Sequence, residues 1–127
     1  MLLLSRYDCM PDENDHAIDG DVIPILYTED ASVAVEWYER LGFEQESVHR
    51  FEPGMPAFVT IRRGRMRLFL SEHEGDARPD TLVYFRVNDV DSIATEFDTD
   101  VEAAPWAREI EIKDPDGNRL RIGTPTD

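Results

Sequence analysis

Glu36-Trp37-Tyr38-Glu39-Arg40-Leu41-Gly42-Phe43 is the stretch on which the fold of this chain turns. Val33, Trp37 and Leu41 recur at helical spacing, and Val35 and Tyr38 widen that apolar stripe. Gly42 stops the helix, because glycine enters the left-handed conformation of a helix end without steric cost. Upstream, Asp30 offers a carboxylate to the first free N–H groups. Before the helix, Val22-Ile23-Pro24-Ile25-Leu26-Tyr27 reads as a strand. Pro24 cannot donate to a ladder, so this strand belongs at a sheet edge or leaves that position unpaired. After the helix, strands are expected over 43–51, 58–63 and 66–70. Pro53, Gly54 and Pro56 break the first pair, and Gly64-Arg65 turns the second.

The same order then returns. Residues 72–80 are polar and read as a linker. A strand over 82–87 is followed by a short helix carrying Val90, Ile93, Ala94 and Phe97, capped by Asp89 or Asp91. A short strand over 101–104 precedes one over 106–113, in which alternation sets Trp106 and Arg108 on the face of Ile110 and Ile112. Asp114-Pro115-Asp116-Gly117 makes a turn, since proline presets φ and glycine supplies a positive one. A last strand covers 120–122. The expected fold is α+β: two paired βαβββ modules, at about 21–71 and 80–123, in one domain spanning 21–127. Residues 1–20, crowded with acids and poor in apolar side chains, are expected to be a flexible acidic tail. Two such curved sheets form a half-barrel whose concave face calls for a ligand or another subunit.

Charge narrows the partners. Twenty-eight acidic residues against thirteen basic ones give a formal net charge of −15, a field that repels polyphosphate and argues against nucleic acid. It attracts cationic small molecules. Acid excess with a single lysine, Lys113, is also the composition of halophilic proteins, which stay hydrated in concentrated salt. Cys9 is the lone cysteine, so neither an internal disulfide nor a thiolate cluster is expected. No apolar run approaches the roughly 20 residues of a membrane-spanning helix, and Leu2-Leu3-Leu4 is too short for a signal-peptide core. A cytoplasmic protein without membrane contact is the expectation.

The helix end from Glu36 to Phe43 resembles the aromatic-x-x-x-Leu-Gly-Phe segment of the vicinal oxygen chelate superfamily, which includes glyoxalases, bleomycin resistance proteins and extradiol dioxygenases. Pro105-Trp106-Ala107-Arg108-Glu109, followed by Asp114-Pro115-Asp116-Gly117-Asn118, resembles the second-half signature of that superfamily, and the Pro-Trp-x-Arg-Glu run points to the bleomycin resistance branch. The resemblance covers about 22–123. It implies homodimers in which modules of both chains complete each cup, with function at the concave face.

Enzymes of this superfamily hold a divalent metal through His and Glu side chains on equivalent strands of the two modules. The motif registers place those positions at Ile23, Thr60, Leu82 and Arg121, none of which suits a cation, and Arg121 carries a positive charge itself. A slip of one residue offers only other apolar side chains. His16, His49 and His73 fall in the tail, the second strand and the linker, outside any motif. Neither a metal nor another cofactor is therefore expected. The leading reading is a non-catalytic protein that sequesters a hydrophobic or antibiotic-like molecule. The alternative is a metal-dependent glyoxalase-like lyase or dioxygenase with a different ligand set.

Sequestration of a bulky cationic ring system requires flat aromatic surfaces and acidic groups. Trp106 is the first candidate stacking surface, with Arg108 and Glu109 read as a salt bridge on the same strand. Register adds Phe58 and Thr60 on one strand and Tyr84 and Arg86 on another, besides Arg121. The resemblance implies a second aromatic shortly after Leu-Gly-Phe, where this chain has Ser47 and Val48. Phe51 can take that role only if its strand is locally shifted. Arg62, Arg86 and Arg121 could also make the cup basic and favour an anionic ligand.

Overall fold

A computed structural model describes residues 20–126. The expected tail, with Cys9 and His16, lies outside them up to residue 19. The elements are β1 (Ile25–Tyr27), α1 (Ala31–Glu39), β2 (Glu44–His49), β3 (Phe58–Arg63), β4 (Met66–Ser71), β5 (Leu82–Arg86), α2 (Val90–Glu96), β6 (Glu102–Ala103), β7 (Ala107–Lys113) and β8 (Arg119–Pro125). They form two four-stranded mixed sheets of one topology, β1-β4-β3-β2 and β5-β8-β7-β6. In each, the first strand runs parallel to the last and the others are antiparallel. The duplicated β-α-β-β-β order is therefore present element for element, and the sheets do not close into a barrel. β1 is an edge strand that begins at Ile25, after Pro24, whose carbonyl accepts from Phe69 N.

Each sheet has one buried and one open face. Leu26, Val59, Ile61, Leu68 and Leu70 of the first sheet, and Phe85, Ile110, Leu120 and Ile122 of the second, enter one core cluster together with both helices. Their strand neighbours point the other way and have no helix over them. The buried stripe of α1 is rotated from the expected one. Ala31, Ala34, Tyr38 and Leu41 are buried, Val33 is 50% exposed and Trp37 is half-buried. The helix sits so close to its sheet that small alanines fit at the contact, and Trp37 instead lies beside it, against Tyr38 and Phe97 at ring distances of 4.9 and 5.2 Å.

The expected helix starts differ in kind. Asp30 caps α1 as read, accepting from Ser32 N at 3.0 Å and Val33 N at 3.4 Å. Asp89 occupies the N-cap of α2 without bonding its backbone N–H groups. Its carboxylate instead takes Arg63 Nη2 at 2.6 Å, and Thr124 Oγ1 accepts from Val90 N. Glu72, read as linker, ties two segments together: Oε2 accepts from Ala31 N and Oε1 from Ala57 N, both at 2.8 Å.

The modules are joined by a buried polar knot in the β7–β8 turn. Asp114 Oδ1 accepts from the backbone of Asp116 and Asn118, and Oδ2 accepts from Asn118 Nδ2 and, at 2.7 Å, from Tyr38 Oη of the other module. Asn118, fully buried, also donates to Tyr27 O and accepts from Thr81 N. Burial, and then the Asp114 carboxylate, push the Tyr38 phenol far above its ordinary pKa, so it remains a donor throughout the usable pH range. Tyr38→Phe leaves the packing intact but strands an acceptor. It should cost about 1–3 kcal/mol in urea denaturation, and a loss below about 0.5 kcal/mol would show that the contact is not a joint.

Asp30 supplies a pH test. Its hydrogen bonds to the Ser32 hydroxyl and the helix N–H groups hold its carboxyl below the ordinary value. A group depressed in the folded state stabilises above its unfolded pKa, near 3.9, and that contribution fades as pH falls through the folded value. The stability gap between wild type and Asp30→Asn should therefore be constant from pH 7 to about 5 and close below about pH 4. A gap independent of pH down to pH 2 would contradict the assignment.

Candidate functional site

The open faces follow from strand alternation. On the first sheet, Phe58, Thr60 and Arg62 of β3 share the uncovered side with Phe69 of β4, as expected. Thr60 lies opposite Phe69, and the Phe58 and Phe69 rings meet at 4.9 Å. Arg62 lies 3.6 Å from Glu44. On the second sheet, Leu82, Tyr84 and Arg86 of β5 share the uncovered side with Arg119, Arg121 and Gly123 of β8 and with Glu109 and Glu111 of β7.

Two candidates sit elsewhere than expected. Arg108 lies on the covered side with Ile110 and bonds Asp91 of α2, so it does not share a face with the Trp106 indole and forms no salt bridge with Glu109. Arg108 keeps the face of Ile110, which is the core side, and the Trp106 indole, ahead of β7, turns to the other side to reach Glu109. Phe51 stands 71% exposed beyond β2, its ring edge-on to His49 at 4.7 Å. β2 does carry a register shift between Gln45 and Ser47, yet the strand ends at His49, before Phe51.

Glu109, read only as an ion-pair partner, is the centre of the second open face. Its Oε2 accepts from Trp106 Nε1 at 2.7 Å and from Tyr84 Oη at 2.9 Å. Tyr84 reaches it by crossing β8 at Gly123, where an added Cβ would clash with Tyr84 Oη and press on Glu109 Cγ. Partial burial, and then the bond to Glu109, raise the Tyr84 pKa, which keeps its hydroxyl a donor. Trp106 is fixed at its N–H edge while 59% of its surface stays open. The sequence signal was present in alternation alone: counting from Ile110 as core places Glu109 and Glu111 on the open side.

Beside this cluster lies an open hollow of about 390 Å³ lined by Asp100, Glu102, Glu109, Glu111 and Arg121. Arg121 donates to Glu111 at 3.0 Å, and Arg119 lies 3.4 Å from the same carboxylate. The Arg121 hydrogen bond above all, and the charges of both arginines, hold the Glu111 carboxyl below its usual range. The second face thus carries more acid than base, with Arg119 and Arg121 engaged by Glu111, rather than a basic cup built on Arg121. A separate cavity of about 320 Å³ lies between the lead-in to β1 and β5, with Ile23, Phe43, Leu68 and Phe85 in its wall.

The four residues that the motif registers put at the superfamily's metal positions have side chains that do not suit a cation. Ile23 lies ahead of β1 in that apolar wall, Leu82 is an exposed hydrocarbon, and Arg121 is a cation spent on Glu111. Thr60 alone offers a neutral hydroxyl. Among the described residues, no three His, Cys, Asp or Glu side chains converge on a point that could hold a metal ion. No helix among them is long and apolar enough to cross a membrane.

A family model described as "Glyoxalase superfamily protein" matches residues 15–127. This chain belongs to the glyoxalase superfamily. Solved structures agree on the fold. A glyoxalase/bleomycin resistance protein/dioxygenase domain from Frankia sp. EAN1pec is 18% identical, with a TM-score of 0.69 over 86% of this chain and 99% of that one. A bleomycin-binding protein, solved with bleomycin, is 20% identical, with a TM-score of 0.63 over 84% of this chain and 99% of that one. An antibiotic-binding protein from Streptomyces sp. CB03234 is 17% identical, with a TM-score of 0.64 over 86% and 99%. No curated protein sequence matches the chain significantly. The neighbours thus include bleomycin- and antibiotic-binding members, as the Pro105–Glu109 run of this glyoxalase-superfamily chain had suggested.

Proposed function

We propose that this protein is a non-catalytic binder that sequesters a hydrophobic, ring-bearing, antibiotic-like molecule on its open sheet faces, as a homodimer in which a second copy completes the cup. The observation that carries the reading is Trp106: a large aromatic surface, 59% exposed, anchored by its edge on a face that also exposes Leu82 and Tyr84. Side chains of this kind stay uncovered at a cost of about 1.5–3 kcal/mol each relative to burial, which a bound ring or a partner subunit would recover. The neighbours that bind bleomycin and other antibiotics support the same reading of the scaffold. The ligand donors of the superfamily's enzymes are replaced by Thr60, Leu82 and Arg121, which removes the Lewis acid on which a lyase or ring-cleaving reaction depends. Thr60, Phe58 and the flanking Phe51 would serve the first face, and Tyr84, Arg86, Trp106 and Arg121 the second, with Arg108 holding α2 behind it.

Titration with a bithiazole antibiotic should quench tryptophan emission saturably. In Trp106→Ala the remaining Trp37 emission should stay unquenched and the affinity fall at least about tenfold, as for an interface aromatic worth 1.4 kcal/mol or more. Absence of quenching, together with no protection of host cells, would remove the antibiotic reading. In sedimentation equilibrium the full chain should run at twice its own mass. A strict monomer at tens of micromolar would contradict the completed cup.

A further inference from the structure

The buried Arg63 Nη1 has no partner among the described residues, but it lies against the N-terminus of a seven-residue helix and faces no cavity. The 320 Å³ cavity mixes apolar walls with Asp21, Arg65 and Arg67 at its lining, and nothing identifies what would fill it. The Tyr84–Glu109–Trp106 cluster goes further, because its parts constrain one another and aim at a specific chemistry.

We infer that Glu109 is the specificity-determining residue of the second open face: braced by Tyr84 across Gly123, it fixes the Trp106 ring and sets a carboxylate oxygen beside it, so that the face selects flat-ringed cations over flat-ringed anions. This rests on the reading of Trp106 as a ligand platform. Three observations support the assignment. Both donors, Trp106 Nε1 and Tyr84 Oη, converge on the same atom, Oε2. Oε1 has no hydrogen-bond donor among the described residues, and Glu109 is one of the residues that line the 390 Å³ hollow. Gly123 has no room for a side chain, so the path of Tyr84 to Glu109 depends on a missing Cβ.

The chemistry follows from the groups. An indole face attracts cations through its quadrupole, and an adjoining carboxylate strengthens that preference. A carboxylate that has already spent one oxygen on two neutral donors keeps its full negative charge, so the second oxygen remains a strong acceptor for an ammonium, amidinium or N-alkyl heterocycle. Glu102, across the sheet from Glu109, adds charge of the same sign. Of the arginines of this face, Arg119 and Arg121 are engaged by Glu111, while Arg86, beside Tyr84, sets a single positive charge against those of Glu102 and Glu109. An anionic ring meets the same indole but faces like charge at the carboxylate.

The test uses the full chain and two flat fluorescent probes, thioflavin T as cation and 8-anilinonaphthalene-1-sulfonate as anion. Wild type should bind thioflavin T at least about tenfold more tightly than the anionic dye, a preference reduced by added salt. Glu109→Gln keeps an acceptor for Trp106 and Tyr84 but removes the charge. It should abolish the preference while leaving the Trp106 indole N–H resonance near its wild-type shift. Gly123→Ala displaces Tyr84, whose hydroxyl the added methyl would overlap, and presses only lightly on Glu109 Cγ. It should weaken binding of both dyes and move that indole resonance, while the far-UV spectrum stays native. If wild type binds thioflavin T, Trp106→Ala abolishes binding, and Glu109→Gln leaves the preference unchanged, the inference fails and the platform reading stands. If wild type binds neither dye, or Trp106→Ala leaves binding of both unchanged, both fail together.

Discussion

The fold depends on one buried constraint: the carboxylate of Asp114, inside the turn between β7 and β8, holds that turn in shape and takes the hydroxyl of Tyr38 from the other module. Asn118, in the same knot, fastens the edge strand β1 and the lead-in to β5. A buried carboxylate without partners costs several kcal/mol, so this arrangement is stable only when every partner is present. It acts as a latch that closes when both modules are folded. The apolar contacts around it, such as Phe43 on Phe85 at 5.9 Å, are less directional and would tolerate sliding. With the latch in place, each helix packs on its own sheet and the opposite face of each sheet is left uncovered.

That division of faces is what gives the molecule a site. The covered sides use up the aliphatic residues, and the uncovered sides carry a mixed set of aromatic, acidic and arginine side chains. Most charges there are matched locally, as with Arg62 and Glu44, or Arg121 and Glu111. Such exposed pairs contribute little to stability, typically below about 1 kcal/mol. Their effect is to set the local field, so that a face on a strongly acidic chain is acidic where its arginines are occupied. The exposed indole of Trp106 is the exception to local matching, since only its edge is satisfied.

How much of this was legible in the sequence divides by the kind of information each feature needs. The two modules, their strand order and the Gly42 helix stop were readable because hydrophobic periodicity and turn chemistry are local. The superfamily was readable because two signatures stand at a fixed separation. Alternation placed Arg108 with Ile110 correctly, but it could not show that this is the covered side, nor that the Trp106 indole, ahead of the strand, turns to the other side to reach Glu109. The rotation of α1 was missed for a related reason: Ala31 and Ala34 look indifferent in sequence, yet small side chains mark the closest helix–sheet approach. The latch and the Glu109 cluster could not be found by local reading. Their partners lie 76 and 25 residues apart in the chain, and nothing in a turn motif or a glutamate announces a tyrosine from another strand.

The central claim is that this member of a superfamily rich in metal enzymes has an open face suited to holding molecules and unsuited to holding a metal ion. Elemental analysis of protein purified without chelators, after incubation with Ni, Zn, Fe and Mn salts and desalting, tests it most directly. The account predicts well under a tenth of an equivalent of any metal per chain. One equivalent of a single metal, retained by the full chain and lost in Arg121→Ala or Thr60→Ala, would contradict it.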